Sequence, residues 1–251
     1  MIIPKILHIA WKSKDLLSST LPIVLNGVSN FHKLNPDWTV NISTDEEVDR
    51  YLKDNLSAFD YSILQGEHIV AKIDVWRLIK MYNEGGVYQD VDRLYNIPMT
   101  KILPNERIEC ILPTCGDLDF SQDIMISIPN NPIFQKTARL SLARRRSGVR
   151  NIYFLGPVTY MHVISKELCG TQLDQNPGEE VFDKLRNRLE LLSMTETYRE
   201  QPPFDTVTFR FDPVRWQHGS FFSSKIDQQY LEEQKKALYS EFGIKHWSGA
   251  F

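Results

Sequence analysis

The segment from Ala71 to Asp92, AKIDVWRLIKMYNEGGVYQDVD, constrains the fold of this 251-residue chain more than any other. Apolar residues recur at steps of three and four from Gly66 to Tyr82, which predicts a helix with one buried stripe. Gly85-Gly86 then ends that helix, because glycine tolerates the left-handed backbone that helix C-termini often need. Val87 to Asp92 is typical of a short strand. A helix that turns tightly into a strand indicates one unit of an α/β sheet.

Two pairs of charged residues in this segment predict a binding site. Asp74 and Arg77 are neighbours on a helix surface, where a carboxylate accepts hydrogen bonds from sugar hydroxyls and a guanidinium binds hydroxyl, carboxylate or phosphate oxygens. Asp90 and Asp92 point to the same face of a strand, and a cation that prefers hard oxygen ligands, such as Mg²⁺ or Mn²⁺, relieves their repulsion. Each pair alone is equally compatible with a surface ion pair or an acidic turn. Their combination in one segment favours the site.

Several residues of the segment share the order and spacing of a known family motif, D-x-x-R, then Gly-Gly, then Y-x-D-x-D: Asp74, Arg77, Gly85-Gly86, Tyr88, Asp90 and Asp92. The segment resembles the DXD-containing sugar-binding region of glycosyltransferase family 32. It is also similar to the glucosyltransferase domain of the large clostridial toxins. The resemblance implies a GT-A-like fold and a metal-dependent, retaining glycosyltransferase.

The resemblance also implies a role for each motif residue. Asp92, with Asp90 nearby, would hold the metal that neutralises the departing diphosphate. Asp90 alternatively contacts the ribose of the nucleotide. Asp74 and Arg77 would hold the sugar and orient its anomeric carbon, and Tyr88 would line the sugar pocket.

The composition excludes several other classes of protein. Hydrophobic residues make up 42% of the chain and charged residues 24%, with a net charge of −3, so the chain reads as globular and not as a nucleic-acid binder. Cys110, Cys115 and Cys169 form neither a metal-binding spacing nor a disulfide framework, which indicates a reducing compartment. No run of 18 apolar residues is present, and the start is too short for a signal peptide. We therefore predict a soluble, cytoplasmic protein without a transmembrane segment.

Strands and helices alternate along the first part of the chain. Ile2 to Trp11 is typical of a first strand, Leu21 to Leu34 of a helix and Trp38 to Ser43 of a second strand, after which Thr44 caps another helix. This alternation predicts an α/β fold with a mainly parallel central sheet flanked by helices. We expect a single domain over residues 1–251. Residues 1–160 would bind the donor and metal, and residues 161–251 would form the acceptor part and a closing C-terminal tail.

The first strand contributes two candidate nucleotide contacts. Its sequence resembles the family opening I-P-K-I-I-H-x-x-W. At the C-terminal edge of a parallel sheet, His8 and Trp11 would face the ligand crevice, and Trp11 would stack on the base. The alternative for Trp11 is a place in the hydrophobic core.

The region after the DXD motif contributes two candidate residues beneath the sugar ring. Ile108 to Pro113 and Asp123 to Ile128 are predicted strands, with a polar, acidic stretch between them. A retaining transferase needs a polar group under the ring, and Gln122 and Asp123 are the candidates because of their position before a strand. The alternative is a turn that starts the strand.

Two further segments carry family-like or charged features. A predicted helix from Asn131 to Ser147 ends in Arg144-Arg145-Arg146, for which a solvated helix end is favoured over an anion-binding surface. Gly156-Pro157 opens another helix and resembles the T-G-P element of the family, which makes Gly156 a candidate donor contact. Leu155 replaces the threonine of that element.

The C-terminal tail resembles the H-x-W-x-G-S-W run that ends related enzymes. By that resemblance it folds back over the metal and diphosphate, where His246 or Ser248 would be a metal ligand or would contact the pyrophosphate. The alternative is a disordered end. The last two family residues are replaced here by Ala250-Phe251. Before the tail, Val207 to Phe211 is a predicted strand and Ile226 to Phe242 a predicted helix.

The sequence thus predicts transfer of a sugar from a nucleotide-diphosphate donor to a hydroxyl group of a glycan, glycolipid or protein. The expected cofactor is Mn²⁺ or Mg²⁺, and a UDP-sugar is favoured as donor, with GDP-mannose as the other possibility. Two alternatives stay open: a sugar-nucleotide binder with a decayed site, and a metal-dependent nucleotidyltransferase.

Strand alternation would point Arg93, which follows the motif, to the opposite face.

Overall fold

A computed structural model of the chain describes residues 2–93, 98–103, 110–111, 114–115, 119–120, 122–169 and 228–246. Its strands are β1 Ile6–Ala10, β2 Thr39–Ser43, β3 Gly86–Gln89, β4 Cys110–Ile111, β5 Thr114–Cys115, β6 Asp119–Phe120 and β7 Ile124–Ser127. The predicted strand at Val207 to Phe211 lies outside the described residues.

Within the described residues the central sheet has five strands in the order β2-β1-β3-β7-β4. β1 pairs in parallel with β2 and with β3, whereas β7 runs antiparallel to both β3 and β4. Four of these strands therefore point the same way, and β7 opposes them. β5 and β6 form a separate antiparallel pair. The predicted α/β class with a mainly parallel sheet flanked by helices is confirmed, while the division into residues 1–160 and 161–251 stays a prediction.

The helices lie between and around these strands. They are α1 Pro22–Val24, α2 Asn30–Leu34, α3 Asp45–Asn55, α4 Ala58–Leu64, α5 Ile69–Glu84, α6 Met99–Ile102, α7 Pro132–Arg146, α8 Ile152–Leu155, α9 Pro157–Cys169 and α10 Gln228–Glu241. A 3₁₀ turn covers Lys14–Ser18, and a π-helical turn at Leu25–Ser29 joins α1 to α2. No helix in the described part of the chain is long and apolar enough to cross a membrane.

Local chemistry explains where the main site helix and its neighbour begin and end. Thr44 caps α3 as predicted: its Oγ1 accepts from Glu47 N at 3.3 Å, and its own N–H donates to Glu47 Oε2 at 3.0 Å. α5 ends at Gly85, where φ is +63° and an added Cβ would lie 2.6 Å from Pro129 N. A side chain at Gly85 would therefore be both strained and obstructed.

The sheet buries apolar side chains on both faces. On one face Trp76 of α5 packs with Tyr88 of β3 and Phe134 of α7. On the other, Leu7 of β1 belongs to a second cluster that includes Leu238 of α10. Fully burying each such side chain is worth about 1.5–3 kcal/mol. Because both faces of the sheet are packed, the position of the sheet end that carries the charged residues is fixed.

Two sequence-based expectations are wrong. The strand that was expected to reach Asp92 ends at Gln89, and the chain then turns, with Arg93 N donating to Asp90 O at 3.2 Å. The arginines at the end of α7 are not a solvated end, because Arg144 and Arg145 are buried and Arg146 alone of the three is exposed. Backbone carbonyls and hydroxyls inside the protein supply the acceptors that make this burial possible.

Candidate functional site

A cleft of about 590 Å³ opens at the carboxyl ends of β1 and β3, between the N-terminal half of α5 and the helix α10. The carboxyl ends of parallel strands are where α/β folds commonly bind ligands. Its charged and aromatic lining comes from five separate parts of the chain: Trp11, Lys12, Asp45, His68, Arg77, Tyr88, Asp90, Asp92, Arg93, Lys235, Tyr239, Lys245 and His246.

Arg77 joins the helix pair to the strand pair. Its guanidinium forms an ion pair with Asp74, lies 3.4 Å from Asp90 Oδ1, and donates to the carbonyl of Gln122 at 3.0 Å. It also lies over the ring of Tyr88, 5.0 Å from the centroid. Tyr88 in turn donates its hydroxyl to Asp90 Oδ1 at 2.5 Å. Asp74, Arg77, Tyr88 and Asp90 therefore form one connected network, and Asp92 lines the same cleft.

Asp74 lies behind Arg77, away from the cleft lining. It is 4% exposed, and a Cβ added to Gly156 would lie 2.8 Å from its Oδ2 and 3.1 Å from Gln122 Oε1. The structure thus brings Asp74, Gln122 and Gly156 together in one buried polar cluster beside Arg77. Both amide atoms of Gln122 lack a hydrogen-bond partner among the described residues. Since φ at Gly156 is −95°, the close approach of the Asp74 and Gln122 side chains, and not a left-handed backbone, favours glycine there.

The other side of the cleft gathers around Asp92. Lys235 Nζ lies 2.6 Å from Asp92 Oδ2, and Arg93 Nη1 lies 3.6 Å from Asp92 Oδ1. Arg93 also forms an ion pair with Asp123. The expectation that Arg93 points to the opposite face is wrong, because the turn after Gln89 ends the alternation and brings Arg93 into the cleft.

These contacts shift the pKa values of the three carboxyl groups in different directions. Burial raises the pKa of Asp74, against the opposing effect of Arg77. Burial also raises the pKa of Asp90 to about 6, with Arg77 opposing and the charge of Asp92 adding to the shift. At Asp92 burial is outweighed by Arg93 and Lys235, which hold the pKa below its ordinary value.

The two candidate residues of the first strand lie in different places. Trp11 lines the cleft and is also part of the core, with its ring edge-on to Tyr239 at 5.6 Å and to Phe242 at 5.6 Å. His8 is fully buried away from the cleft lining, with Nε2 3.0 Å from the carbonyl of Gly85. Burial and the nearby Lys80 lower the pKa of His8 to about 4, so the ring is neutral. The structure therefore does not place His8 where the nucleotide was expected.

The tail prediction is partly within the described residues. His246 lines the cleft, with its ring 5.4 Å from that of Tyr239. Burial and the neighbouring Lys235 lower the pKa of His246, which favours the neutral imidazole that metals bind. Ser248 lies outside the described residues, so its predicted role as a ligand stays a prediction.

Sequence reasoning missed Lys235, Arg145 and His68. His68 caps α5 through Nδ1, which accepts from Val70 N at 3.3 Å, and lines the cleft. Arg145 is 1% exposed and donates to the carbonyl of Ala71 at 3.1 Å. Leu238 is buried, and Tyr239 and Phe242 are partly buried against the same cluster, which marks the face of α10 that packs inward.

The donor set around the motif fits a hard divalent cation. Asp90 and Asp92 offer carboxylate oxygens, and Asp92 Oδ1 is buried without a hydrogen-bond partner among the described residues. Within those same residues no three His, Cys, Asp or Glu side chains cluster closely enough to hold a metal by themselves. Substrate phosphates commonly complete such sites. Asp92 and Asp90 are thus the residues that would hold the ion.

Residues 24–109 match the family model described as the glycosyltransferase sugar-binding region containing a DXD motif. The resemblance drawn from the motif residues is confirmed, since this span includes all of them. It covers the sheet strands β2 and β3 and the helix α5 between them.

Three known proteins resemble parts of this chain. An inositol phosphoceramide mannosyltransferase of Schizosaccharomyces pombe is 27% identical over 57% of this chain and 44% of its own length. A mannosyl phosphorylinositol ceramide synthase of Saccharomyces cerevisiae is 26% identical over 55% of this chain and 35% of its own. The matched part therefore spans less than half of either relative. The solved PaToxG glycosyltransferase covers 75% of this chain and 78% of its own, with 18% identity and a TM-score of 0.49, a likeness that does not bear on function.

Proposed function

We propose that this chain is a divalent-metal-dependent glycosyltransferase that moves a sugar from a nucleotide-diphosphate donor to a hydroxyl group. One observation carries the proposal: Arg77, Tyr88 and Asp90 are linked by direct contacts, and they share one cleft with Asp92. A helix that suits a sugar and a turn that suits a metal and diphosphate therefore meet at the carboxyl end of the sheet. The match of residues 24–109 to a sugar-binding family model supports the same function.

Arg77 is the residue that would contact the sugar or the β-phosphate. Its side chain is 9% exposed and lines the cleft, whereas the Asp74 side chain behind it is 5% exposed and is not part of the lining. Asp74 thus acts on the cleft through Arg77, whose orientation it fixes by a charge-assisted hydrogen bond. Holding the anomeric carbon in line for attack is a positioning contribution. Gln122 and Asp123 remain our candidates for the polar groups under the sugar ring.

The diphosphate would lie at the Asp92 end of the cleft. A divalent cation bound to Asp92 and Asp90 would act as a Lewis acid toward the leaving diphosphate. Arg93 and Lys235 add two cationic side chains there, and His246 borders the same end. Trp11, which directly follows β1 and lines the cleft, is our candidate for stacking on the nucleotide base. Retention of configuration is proposed from the family resemblance alone.

The donor and acceptor that we propose to test first are taken from the names of the two relatives. Both relatives' names specify mannosyl transfer to an inositol-phosphate ceramide. We therefore place GDP-mannose beside the UDP-sugars favoured from the sequence, and a glycolipid hydroxyl ahead of glycan or protein hydroxyls. The cytoplasmic location stays a prediction.

The test is turnover of a panel of UDP-sugars and GDP-mannose with Mn²⁺ or Mg²⁺, measured as release of nucleoside diphosphate with and without inositol-containing glycolipid. Asp92→Asn should lose about 100-fold or more in turnover, because it removes a charge at the leaving group. Asp54→Asn, an exposed residue of α3, is the matched control and should keep full activity. Full activity of Asp92→Asn in the presence of Mn²⁺ would refute the metal assignment.

One observation favours a rival function. Asp92 already has Lys235 and Arg93 as cationic neighbours, which is the arrangement expected of a sugar-nucleotide binder that has lost its metal. Such a protein would bind a nucleotide sugar but release no nucleoside diphosphate. The turnover panel combined with equilibrium binding of UDP and GDP separates the two functions.

A further inference from the structure

Lys235 contacts the carboxylate that the metal is proposed to use. Its Nζ lies 2.6 Å from Asp92 Oδ2, and the Lys235 side chain is 23% exposed. At 2.6 Å this is a charge-assisted hydrogen bond between two ions that are largely withdrawn from water, and such a bond is stronger than a surface pair. Lys235 therefore takes up one of the two oxygens of Asp92.

The helix α10 holds Lys235 in this position. Leu238 is fully buried, and Tyr239 and Phe242 pack edge-on against Trp11. At the end of the helix, Lys12 Nζ donates to the carbonyl of Phe242 at 3.0 Å. Ser19 Oγ donates to Glu241 Oε2 at 2.8 Å. Lys235 is thus presented to Asp92 by a docked helix.

The charges at this end of the cleft balance without a ligand. Among the described residues at this end, two carboxylates, Asp92 and Asp123, are paired with two cations, Arg93 and Lys235. A divalent cation alone on Asp92 would lie beside Lys235 and Arg93, and like charges at a few ångströms repel strongly in a partly buried site. A divalent cation that arrives with a diphosphate adds little net charge, and the diphosphate offers Lys235 a new anionic partner.

We propose that Lys235 is an exchangeable counter-cation: it neutralises Asp92 in the ligand-free protein and passes to the donor diphosphate when a divalent cation takes its place on Asp92. This inference rests on the proposed function. It makes the divalent cation bind weakly before the nucleotide and tightly with it. It also couples the position of α10 to the presence of the donor, because Lys235 lies on that helix.

The first measurement is the affinity for Mn²⁺ in the absence of nucleotide. The unbound ion is quantified by electron paramagnetic resonance. Lys235→Met should bind Mn²⁺ about ten-fold more tightly than the unmodified protein, because a repelling charge beside the site is removed. Lys235→Gln serves as a second variant with a polar side chain, in case methionine disturbs the packing. Lys236→Met, on an exposed neighbouring residue, is the matched control and should leave Mn²⁺ binding unchanged.

The second measurement is calorimetric binding of UDP and of GDP at saturating Mn²⁺. Here the sign reverses, and Lys235→Met should bind the nucleotide about ten-fold more weakly, because the diphosphate loses a cationic partner. Lys235→Arg should restore nucleotide binding, since the guanidinium also pairs with phosphate.

The outcomes separate this inference from the proposed function. Tight binding of Mn²⁺ and nucleotide by the unmodified protein, with neither changed in Lys235→Met and Lys235→Gln, would overturn the exchange and leave the function standing. Weaker Mn²⁺ binding in both variants would also overturn it, because Lys235 would then support the metal site. Absence of Mn²⁺-dependent UDP or GDP binding in the unmodified protein would overturn both.

Discussion

The two ends of the cleft hold their charges differently. At the sugar end, around Asp74 and Arg77, side-chain exposures are 5% and 9%, and the two residues are neighbours on one helix. At the diphosphate end two of the pairs join separate parts of the chain, Lys235 with Asp92 and Arg93 with Asp123, and the Asp90 side chain is 37% exposed. The first end is assembled within α5, and the second depends on how α10 docks.

The difference teaches which charges are structural and which are available for exchange. A buried pair that loses one partner leaves an uncompensated charge, so the Asp74–Arg77 pair is committed to the fold. Asp92 has two cationic neighbours, and loss of one leaves the other. The sugar end is therefore preorganised, while the diphosphate end can change partners when ligands bind.

The largest expected effect is on stability at the sugar end. Arg77→Met should lower the free energy of unfolding by about 3–5 kcal/mol, because Asp74 remains buried without its main partner. Lys235→Met should cost about 1 kcal/mol or less, because Arg93 stays beside Asp92. Urea denaturation followed by tryptophan fluorescence measures both. Equal losses in the two variants would remove the distinction between the ends.

A double replacement sharpens this first test. Asp74→Leu combined with Arg77→Met removes both buried charges and should recover a large part of the stability lost in Arg77→Met alone. Sugar transfer should stay absent in the double variant. Recovered stability without activity would separate the structural cost of the pair from its role in the cleft.

The second prediction concerns Arg145, which supports the sugar end from behind. Its guanidinium donates to Ser141 Oγ at 2.5 Å and to the carbonyl of Ala71, and Ser141 Oγ donates to the carbonyl of Leu155 at 2.8 Å. Arg145 thus ties α5, one turn before Asp74, to the segment that leads into Gly156. Arg145→Met should cost about 1–3 kcal/mol, because buried acceptors lose their donor.

The control for Arg145 is the next residue. Arg146 is exposed, with Asp60 at 3.4 Å, so Arg146→Met should change the free energy of unfolding by less than about 0.5 kcal/mol. If Arg145 positions the sugar end, Arg145→Met should reduce kcat for transfer more than it weakens Mn²⁺-dependent nucleotide binding. A proportional loss of both would indicate a general loosening of the fold.

Much of the sugar end could be predicted from sequence because its signals are local. Periodicity located α5, Gly85 marked its end, and the Asp74–Arg77 spacing placed both residues on one flank. The predicted direction of the Arg93 side chain was wrong for an equally local reason. The strand ends at Gln89, and the apolar pattern gives no sign of the turn that follows.

The diphosphate end was less predictable because its partners come together through tertiary packing. A lysine within the Glu- and Lys-rich helix α10 looks solvated in sequence, and the docking of Leu238 is what brings Lys235 to Asp92. The burial of Arg145 escaped prediction similarly, since its acceptors are a distant carbonyl and a hydroxyl. Charge patterns alone do not reveal which cations find such partners.

The smallest expected effect is a pH dependence at Asp90. Burial raises the pKa of Asp90 to about 6, so the folded protein keeps a proton that the unfolded chain releases near pH 4. Between those values the folded state binds more protons, and the contribution of Asp90 to stability falls as the pH rises through this window. Asp90→Asn removes the proton, so the difference in unfolding free energy between the two proteins should change between about pH 4 and 6 and be flat outside it. Solvent around the 37% exposed side chain keeps the change small. A flat difference throughout would mean that Asp90 has the same pKa in the folded protein and in the unfolded chain, so that burial at the diphosphate end does not alter its protonation.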